Sequence, residues 1–248
     1  MTTKKLLHTR AYEIEAFVED ELHFRLIGLM RDVRPDGLWG IVDTEPMTLH
    51  DMHIELVING VTFEITEVRT AMLTHPQEQC PLILPLFQEL VGTSIARGFG
   101  NKVKTLFGGP RSCTHFVALL NAMAPVAMQA RWSFFHAVSN DSMSIMTTDQ
   151  AKRQESVSND SMSIMTTDRA KRQESVSNDS MSIMTTDQAK RQESMRAGHE
   201  ANRDTCHVWA SEGPMFAKIN AGESIGIPVW AKHRLAERGI PPEEWVSF

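Results

Sequence analysis

The stretch Gly108-Gly109-Pro110-Arg111-Ser112-Cys113-Thr114-His115 stands directly before a long run with helical periodicity, and this junction organises the chain. Apolar residues recur behind it at intervals of three and four: Phe116, Val117, Leu119, Leu120, Met123, Val126, Ala127 and Ala130. This spacing predicts a buried helix from Cys113 to about Phe135, which Pro125 is expected to kink or split. The Ser112 hydroxyl is suited to cap the N-terminus of that helix.

The first turn of this predicted helix carries Cys113 and His115. A helix N-terminus has partial positive charge and unpaired N–H groups, which attract anions and lower the pKa of a thiol. Cys113 is therefore a candidate substrate-binding residue and a candidate nucleophile. Because two steps along a helix turn about 200°, His115 is not expected to contact Cys113 directly. The alternative, that both residues simply pack under a loop, stays open.

The first 75 residues have the patterns of antiparallel strands. Residues 12–18 and 22–30 alternate apolar and polar side chains around a polar turn, which predicts a hairpin. Residues 52–58 and 61–68 flank Asn59-Gly60, which predicts a second hairpin with a type I′ turn. The expected fold class is α+β, with an antiparallel β-sheet packed on the central α-helix.

Further elements are predicted after the second hairpin. Short helices are expected at 81–91, 101–107 and 229–238, and a helix start near 241–245. Strands are expected at 205–211 and 215–219. Glycines at the ends of the predicted helices, such as Gly92 and Gly239, are placed to end them.

A 19-residue unit occurs three times between residues 138 and 194, and the copies differ only at Gln150, Arg169 and Gln188. Each copy has few apolar side chains, which is too little for a stacked solenoid core. The repeats are therefore predicted to form a largely solvated insertion in a single α+β domain made of residues 1–137 and 195–248. Alternatively, they are an arm for self-association, and a homo-oligomer would then change size with copy number.

Composition limits the classes of function. The chain has 248 residues and a net charge of −6, which argues against nucleic acid as a partner. It has neither an apolar run long enough for a membrane span nor a secretory leader, so a cytoplasmic protein without a membrane partner is expected. Three cysteines do not form a disulfide framework. Phosphate-loop and dinucleotide motifs are absent from the sequence, which disfavours nucleotide-dependent chemistry.

Histidines are the main candidates for proton transfer. His50 and His53 begin a predicted strand and should point to opposite faces, so one metal ion is not expected to bind both. His50, His115 and His207 are candidate acid and base groups, and Asp51 is a candidate for orienting an imidazole. Three histidines would also suit a catalytic zinc ion, but no spacing requires one, so the prediction is no metal and no cofactor.

Several short motifs together resemble a bacterial family known as domain of unknown function 2889. They begin with Leu7-His8-Thr9-Arg10, His50-Asp51-Met52 and Leu90-Val91-Gly92 with Gly98, and continue with Gly109, Cys113-Thr114-His115, Asp204 and Cys206-His207. Thr205 stands where the family usually has glycine. The resemblance covers about residues 6–135 and 200–220 and does not include the repeats. It implies, by gene neighbourhood, a role in the breakdown of aromatic or alicyclic compounds.

These observations predict a catabolic enzyme that acts on a small, aromatic-derived organic acid by acid–base chemistry of the lyase or hydrolase type. Arg10 and Arg111 are candidates for holding the substrate carboxylate, because guanidinium binds carboxylates bidentately. The alternative is a non-catalytic protein that binds a small ligand with the same residues.

Overall fold

The computed structural model describes residues 4–36, 45–141 and 197–242. The chain divides into two compact units, residues 1–137 with 197–248 and residues 138–196. The first unit has an α+β fold, as predicted. The predicted repeat insertion falls almost entirely outside the described residues.

A four-stranded antiparallel meander forms the sheet, with the strands in the order of the sequence. Its strands are β1 (Thr9–Val18), β2 (His23–Arg34), β3 (Met47–Asn59) and β4 (Ile65–Thr74). The first hairpin is confirmed. Its turn is closed by the Asp20 carboxylate, which accepts hydrogen bonds from the backbone N–H groups of Leu22 and His23.

The second hairpin exists, but its predicted type I′ turn is wrong. The Asn59 side chain accepts hydrogen bonds from the N–H groups of Val61 and Thr62, and β4 begins only at Ile65. The positive φ in this turn belongs to Phe63, at 62°, and not to Gly60. Gly60 has a different role: a Cβ there would lie 2.3 Å from the Phe134 ring, so glycine lets the central helix approach.

The predicted central helix is confirmed as α2, which spans Thr114–Asp141. Its apolar face packs on the buried, even-numbered residues of β2, where the Phe24 and Phe134 rings lie 5.6 Å apart. Of the two outcomes predicted at Pro125, a kink or a split, the split does not occur, because the helix is continuous through the proline. Fully buried Met123 and Ala127 flank the proline, and this packing holds the helix together despite the missing N–H donor.

Further helical segments precede and follow α2 in the sequence. They are a 3-10 helix at Cys80–Leu90, α1 at Phe99–Phe107, a 3-10 turn at Gly109–Arg111, α3 at Pro214–Asn220 and α4 at Val229–Glu237. Predicted helices 81–91, 101–107 and 229–238 are thus confirmed, and the helix start near 241–245 lies mostly outside the described residues. Gly92 and Gly239 have positive φ just after helix ends. Among the described helices, none has the length and apolarity needed to cross a membrane.

Both strands predicted after residue 204 are wrong. Residues 205–211 form a chain of turns, held by the Asp204 carboxylate, which accepts hydrogen bonds from the Ser211 N–H and hydroxyl groups. Residues 215–219 belong to α3. Pro214 begins that helix, because proline fits a first helical position and has no N–H to satisfy.

The close approach of α2 to Gly60 predicts that a larger residue at this position destabilises the fold. Gly60→Ala is expected to lower the free energy of unfolding by about 1–3 kcal/mol, because the added methyl collides with a packed ring. Gly198→Ala is the control, since its Cβ meets no atom within 4 Å. Urea denaturation of the two variants measures the difference, and equal stability would contradict the packing described for Gly60.

Candidate functional site

Three polar side chains form a row across the sheet, on the face that packs against α2. The register pairs Arg10 with Asp32 and Asp32 with His50, so residues from β1, β2 and β3 stand side by side. The β2–β3 register shifts directly after this row, between Asp32 and Val33. Such irregularities re-aim side chains, and this one lies beside the candidate site.

Asp32 is the centre of the row and is only 1% exposed. Arg10 binds it through two hydrogen bonds, from Nε at 2.6 Å and from a terminal guanidinium nitrogen at 2.7 Å. His8 Nε2 lies 3.1 Å from Oδ1, and His50 Nδ1 lies 3.1 Å from Oδ2. The buried charge is therefore paired and hydrogen-bonded on both oxygens, as a buried carboxylate requires.

The N-terminus of α2 brings His115 into the same cluster. Its Nε2 atom lies 3.4 Å from Asp32 Oδ2, and its ring stacks on that of His50 with centroids 3.8 Å apart. Its other nitrogen, Nδ1, lies 3.4 Å from Cys113 Sγ. His115 thus stands between a carboxylate and a thiol, with one ring nitrogen toward each.

The expectation that His115 would point away from Cys113 is wrong. The helix begins at Thr114, so Cys113 precedes it and does not follow helical geometry. Cys113 occupies the capping position, because its carbonyl accepts the first helical hydrogen bond, from Val117 N–H. The predicted Ser112 cap is also wrong: the Ser112 hydroxyl is buried and has no hydrogen-bond partner among the described residues.

The network moves the pKa of the two central groups in opposite directions. Burial alone would raise the pKa of Asp32, but its hydrogen bonds from Arg10, His115, His50 and His8 outweigh burial and lower that pKa far below its usual range. Burial alone would lower the pKa of His115. Its bonds to Asp32 and Cys113 outweigh burial and raise the pKa of His115 to about 9.

The neighbouring groups complete the charge balance. Burial and the nearby charge of His115 lower the pKa of His50, so this ring is neutral at pH 7. Burial would raise the pKa of the Cys113 thiol, but the hydrogen bond and charge of His115 and the backbone N–H groups of Phe116 and His115 lower it. The lowered pKa favours the thiolate form of Cys113, whose negative charge would balance His115, since Asp32 already balances Arg10.

Other predicted site residues lie elsewhere. Asp51 is on the opposite face of the sheet, where it pairs with Arg31 at 2.9 Å and His53 at 2.9 Å. It therefore orients His53 and not His50, and His50 and His53 do point to opposite faces. Arg111 donates to the Lys104 carbonyl. His207 bonds elsewhere: its Nε2 lies 2.9 Å from the Gln79 carbonyl oxygen, and none of the contacts described for Asp32 involves His207.

The expectation that Arg10 holds a substrate carboxylate also changes, because its guanidinium binds the protein's own Asp32. Neither Asp32 nor His8 is among the site residues that the sequence predicts, although His8 belongs to one of the family motifs. A signal for Asp32 exists: it occupies an even position of β2, where Phe24, Leu26 and Met30 are buried. A carboxylate at such a position must have buried partners. Side chains two residues apart along an extended chain point to the same face, and His8 and Arg10 both contact Asp32.

Asp32, His50 and His115 could be considered as metal ligands, because one potential ligand atom of each lies within 4.8 Å of the others. The chemistry of the set fits a metal poorly. Arg10 places a positive charge against both oxygens of Asp32, and the raised pKa of His115 keeps a proton on that ring at neutral pH. The cluster is better suited to holding protons than to holding a cation.

The two stacked imidazoles should titrate on opposite sides of the ordinary histidine pKa. In an NMR titration, His115 is expected to lose its proton near pH 9, and His50 is expected to stay neutral down to below pH 6.5. Spectra of His115→Gln and His50→Gln assign the two signals. Titration of both rings near pH 6.5 would contradict the described network.

Comparison with known proteins gives one match. Neither a curated protein nor a solved structure was found to match the chain. Residues 8–129 match the model of a family described as "Protein of unknown function (DUF2889)". This range contains Arg10, Asp32, His50, Cys113 and His115, and the match supports the family resemblance that the sequence motifs indicate.

Proposed function

We propose that this protein is a hydrolase that uses Cys113 as the nucleophile on an acyl derivative, an ester or thioester, of a small organic acid. The observation that carries the proposal is the line of contacts Asp32–His115–Cys113. One ring nitrogen of His115 lies 3.4 Å from the Asp32 carboxylate, and the other lies 3.4 Å from the Cys113 sulfur. This is the arrangement by which enzymes activate a nucleophile: a base contacts it, and a third group orients the base.

The ion pair of Cys113 and His115 supplies both the nucleophile and the acid. The Cys113 thiolate attacks the acyl carbon and forms a C–S bond, and the electrons of the carbonyl double bond move to oxygen. When the bond to the leaving group breaks, the His115 imidazolium donates its proton to that group. His115 is then neutral and takes a proton from water, whose oxygen attacks the thioester and releases the acid and the Cys113 thiolate, so that the starting thiolate and imidazolium are restored.

Asp32 acts on the reaction through His115. Its carboxylate fixes the orientation of the ring and stabilises the imidazolium, which keeps the proton near the thiolate. The row of Arg10, His8 and His50 in turn keeps Asp32 ionised although it is buried. His50 contributes a neutral ring stacked on His115, so it restricts the motion of that imidazole.

Hydrolysis fits the site better than the lyase alternative. A lyase needs a free base beside the substrate, and at neutral pH His115 is protonated and Asp32 is occupied by four partners. The remaining neutral group is His50, whose Nδ1 contacts Asp32 and whose ring stacks on His115. Cys113 is 7% exposed, and the most exposed side chains of the cluster, His8 and Arg10 at 44% and 35%, contact Asp32. The aromatic character of the acid rests on the family resemblance alone.

Turnover of p-nitrophenyl acetate and of small aliphatic and aromatic acyl thioesters tests the proposal. Cys113→Ser and His115→Gln are each expected to lower kcat/KM by about 10³-fold or more, because the two residues act as one unit. His53→Gln is the matched control: it removes an imidazole from the opposite sheet face and should keep wild-type turnover. Mass spectrometry of a rapidly quenched reaction should show an acyl group on Cys113.

Two results would contradict the proposal. The first is hydrolysis that survives Cys113→Ser unchanged. The second is saturable binding of small carboxylic acids by a protein that hydrolyses none of the acyl compounds, which would favour the non-catalytic binding protein.

A further inference from the structure

All three cysteines of the chain meet at one junction of the fold. They come from the start of the 3-10 helix (Cys80), the start of α2 (Cys113) and the turns before α3 (Cys206), and all are free thiols. His207 joins the three segments. Its backbone N–H donates to the Ser112 carbonyl at 2.8 Å, and its Nε2 bonds the Gln79 carbonyl at 2.9 Å. Each cysteine is thus the chain neighbour of a residue in this contact set.

Cys206 is the cysteine tied most directly to Cys113. A single backbone hydrogen bond joins their neighbours His207 and Ser112, which by standard bond lengths places the two Cα atoms within about 8 Å. A disulfide joins Cα atoms about 4.4–6.8 Å apart, so a small movement of the turns at most is needed. Cys80 is tied to this pair through the side chain of His207, and it lies close enough for the charges of Cys113 and Cys206 to raise its pKa.

The junction is tightly built, which limits how far the two segments can separate. A Cβ at Gly213 would lie 2.8 Å from the His207 carbonyl, so the turns that carry Cys206 are packed closely on themselves. Ser112 is completely buried between Arg111 and Cys113. The closest backbone link between Cys113 and Cys206 therefore lies in a packed region and not in an exposed loop.

The thiols differ in chemical character. His115 Nδ1 lies 3.4 Å from Cys113 Sγ and lowers the pKa of this thiol, which favours the thiolate, the form that peroxides oxidise. Burial raises the pKa of the Cys206 thiol, and it raises that of Cys80 to about 12, so both are held as neutral thiols. One reactive thiolate beside a protonated thiol is the arrangement of a peroxidatic and a resolving cysteine.

We propose that Cys113 and Cys206 are a modification site that a hydroperoxide converts reversibly into a disulfide, which switches the enzyme off. The inference rests on the proposed function in that it concerns the same nucleophile. While the disulfide is present, Cys113 has no thiolate to attack an acyl carbon. A reducing thiol restores the thiolate, so the pairing protects the nucleophile from further, irreversible oxidation.

The reaction balances with a hydroperoxide as the only oxidant. The Cys113 thiolate attacks the hydroxyl oxygen of the peroxide, an S–O bond forms, and the O–O bond breaks. The released alkoxide, or hydroxide from hydrogen peroxide, takes the proton of the His115 imidazolium. His115 then accepts the proton of the Cys206 thiol, the Cys206 sulfur attacks the sulfenic sulfur, and the displaced hydroxide leaves as water with that proton.

Peptide mapping of the full chain tests this site. Reduced protein is treated with hydrogen peroxide, free thiols are blocked with iodoacetamide, and the protein is digested with trypsin without reduction. Trypsin cuts after Arg97, Arg111 and Arg203, which puts the three cysteines on three separate peptides. The expected result is a cross-linked pair containing Cys113 and Cys206, a fall from three free thiols to one, and recovery of all three with dithiothreitol.

Two variants distinguish Cys206 from Cys80 as the disulfide partner of Cys113. In Cys206→Ser, the disulfide should be lost and dimedone should label Cys113 as a sulfenic acid. Cys80→Ser is the matched control and should form the same disulfide as wild type. A Cys113–Cys80 link, or a wild-type protein in which Cys113 is labelled by dimedone or stays reduced, would overturn the inference.

The inference and the proposed function can fail separately. Ester turnover is measured on the same reduced samples. Turnover without disulfide formation overturns only the modification site, and disulfide formation in a protein without turnover overturns only the hydrolase. When both hold, turnover falls as the disulfide forms and returns on reduction.

Discussion

The structure around the site depends on one buried carboxylate. Asp32 is taken out of water almost completely, and a charge in that position is tolerated only when good partners surround it. Arg10 supplies the balancing charge, and three histidines supply the remaining hydrogen bonds. Because the partners come from the chain before β1, from β1, from β3 and from the start of α2, this one group fixes how the sheet and the helix N-terminus meet. Removal of one partner from such a buried pair commonly costs about 3–5 kcal/mol.

The pleat of the sheet decides which acidic residue can take this role. Asp32 and Asp51 both lie near the same end of the sheet, and both pair with arginine and histidine. Asp32 faces α2, whereas Asp51 faces away, where Arg31 is 54% exposed. Water screens the outer network, while the inner one acts in a medium that strengthens each contact and shifts each pKa. A slip of one residue in β2 would exchange the two faces and remove the site.

Local sequence signals predicted the parts of the fold that depend on periodicity. Alternation identified β1, β2 and β3, and helical spacing identified α2. The junction residues Cys113 and His115 were recognised as well. Predictions failed where distant contacts decide: the turn after Asn59 is set by α2 packing on Gly60, and the turns around Cys206 are set by Asp204 and Pro214. The role of Asp32 was not predicted either, because only the strand register shows that Arg10, Asp32 and His50 lie side by side. Contact between Cys113 and His115 depends on the helix beginning one residue later than predicted.

The thiolate–imidazolium pair of Cys113 and His115 is the central claim, and the rate of Cys113 alkylation by iodoacetamide as a function of pH tests it most directly. A variant with Cys80→Ser and Cys206→Ser isolates the reaction of Cys113. The rate is expected to rise at a lower pH than for an ordinary thiol, and His115→Gln in the same background is expected to move the rise to or above the ordinary thiol pKa of about 8.5, because burial then acts alone. A rate that rises through about pH 8.5 in both proteins would contradict the account, because Cys113 would then be an ordinary buried thiol.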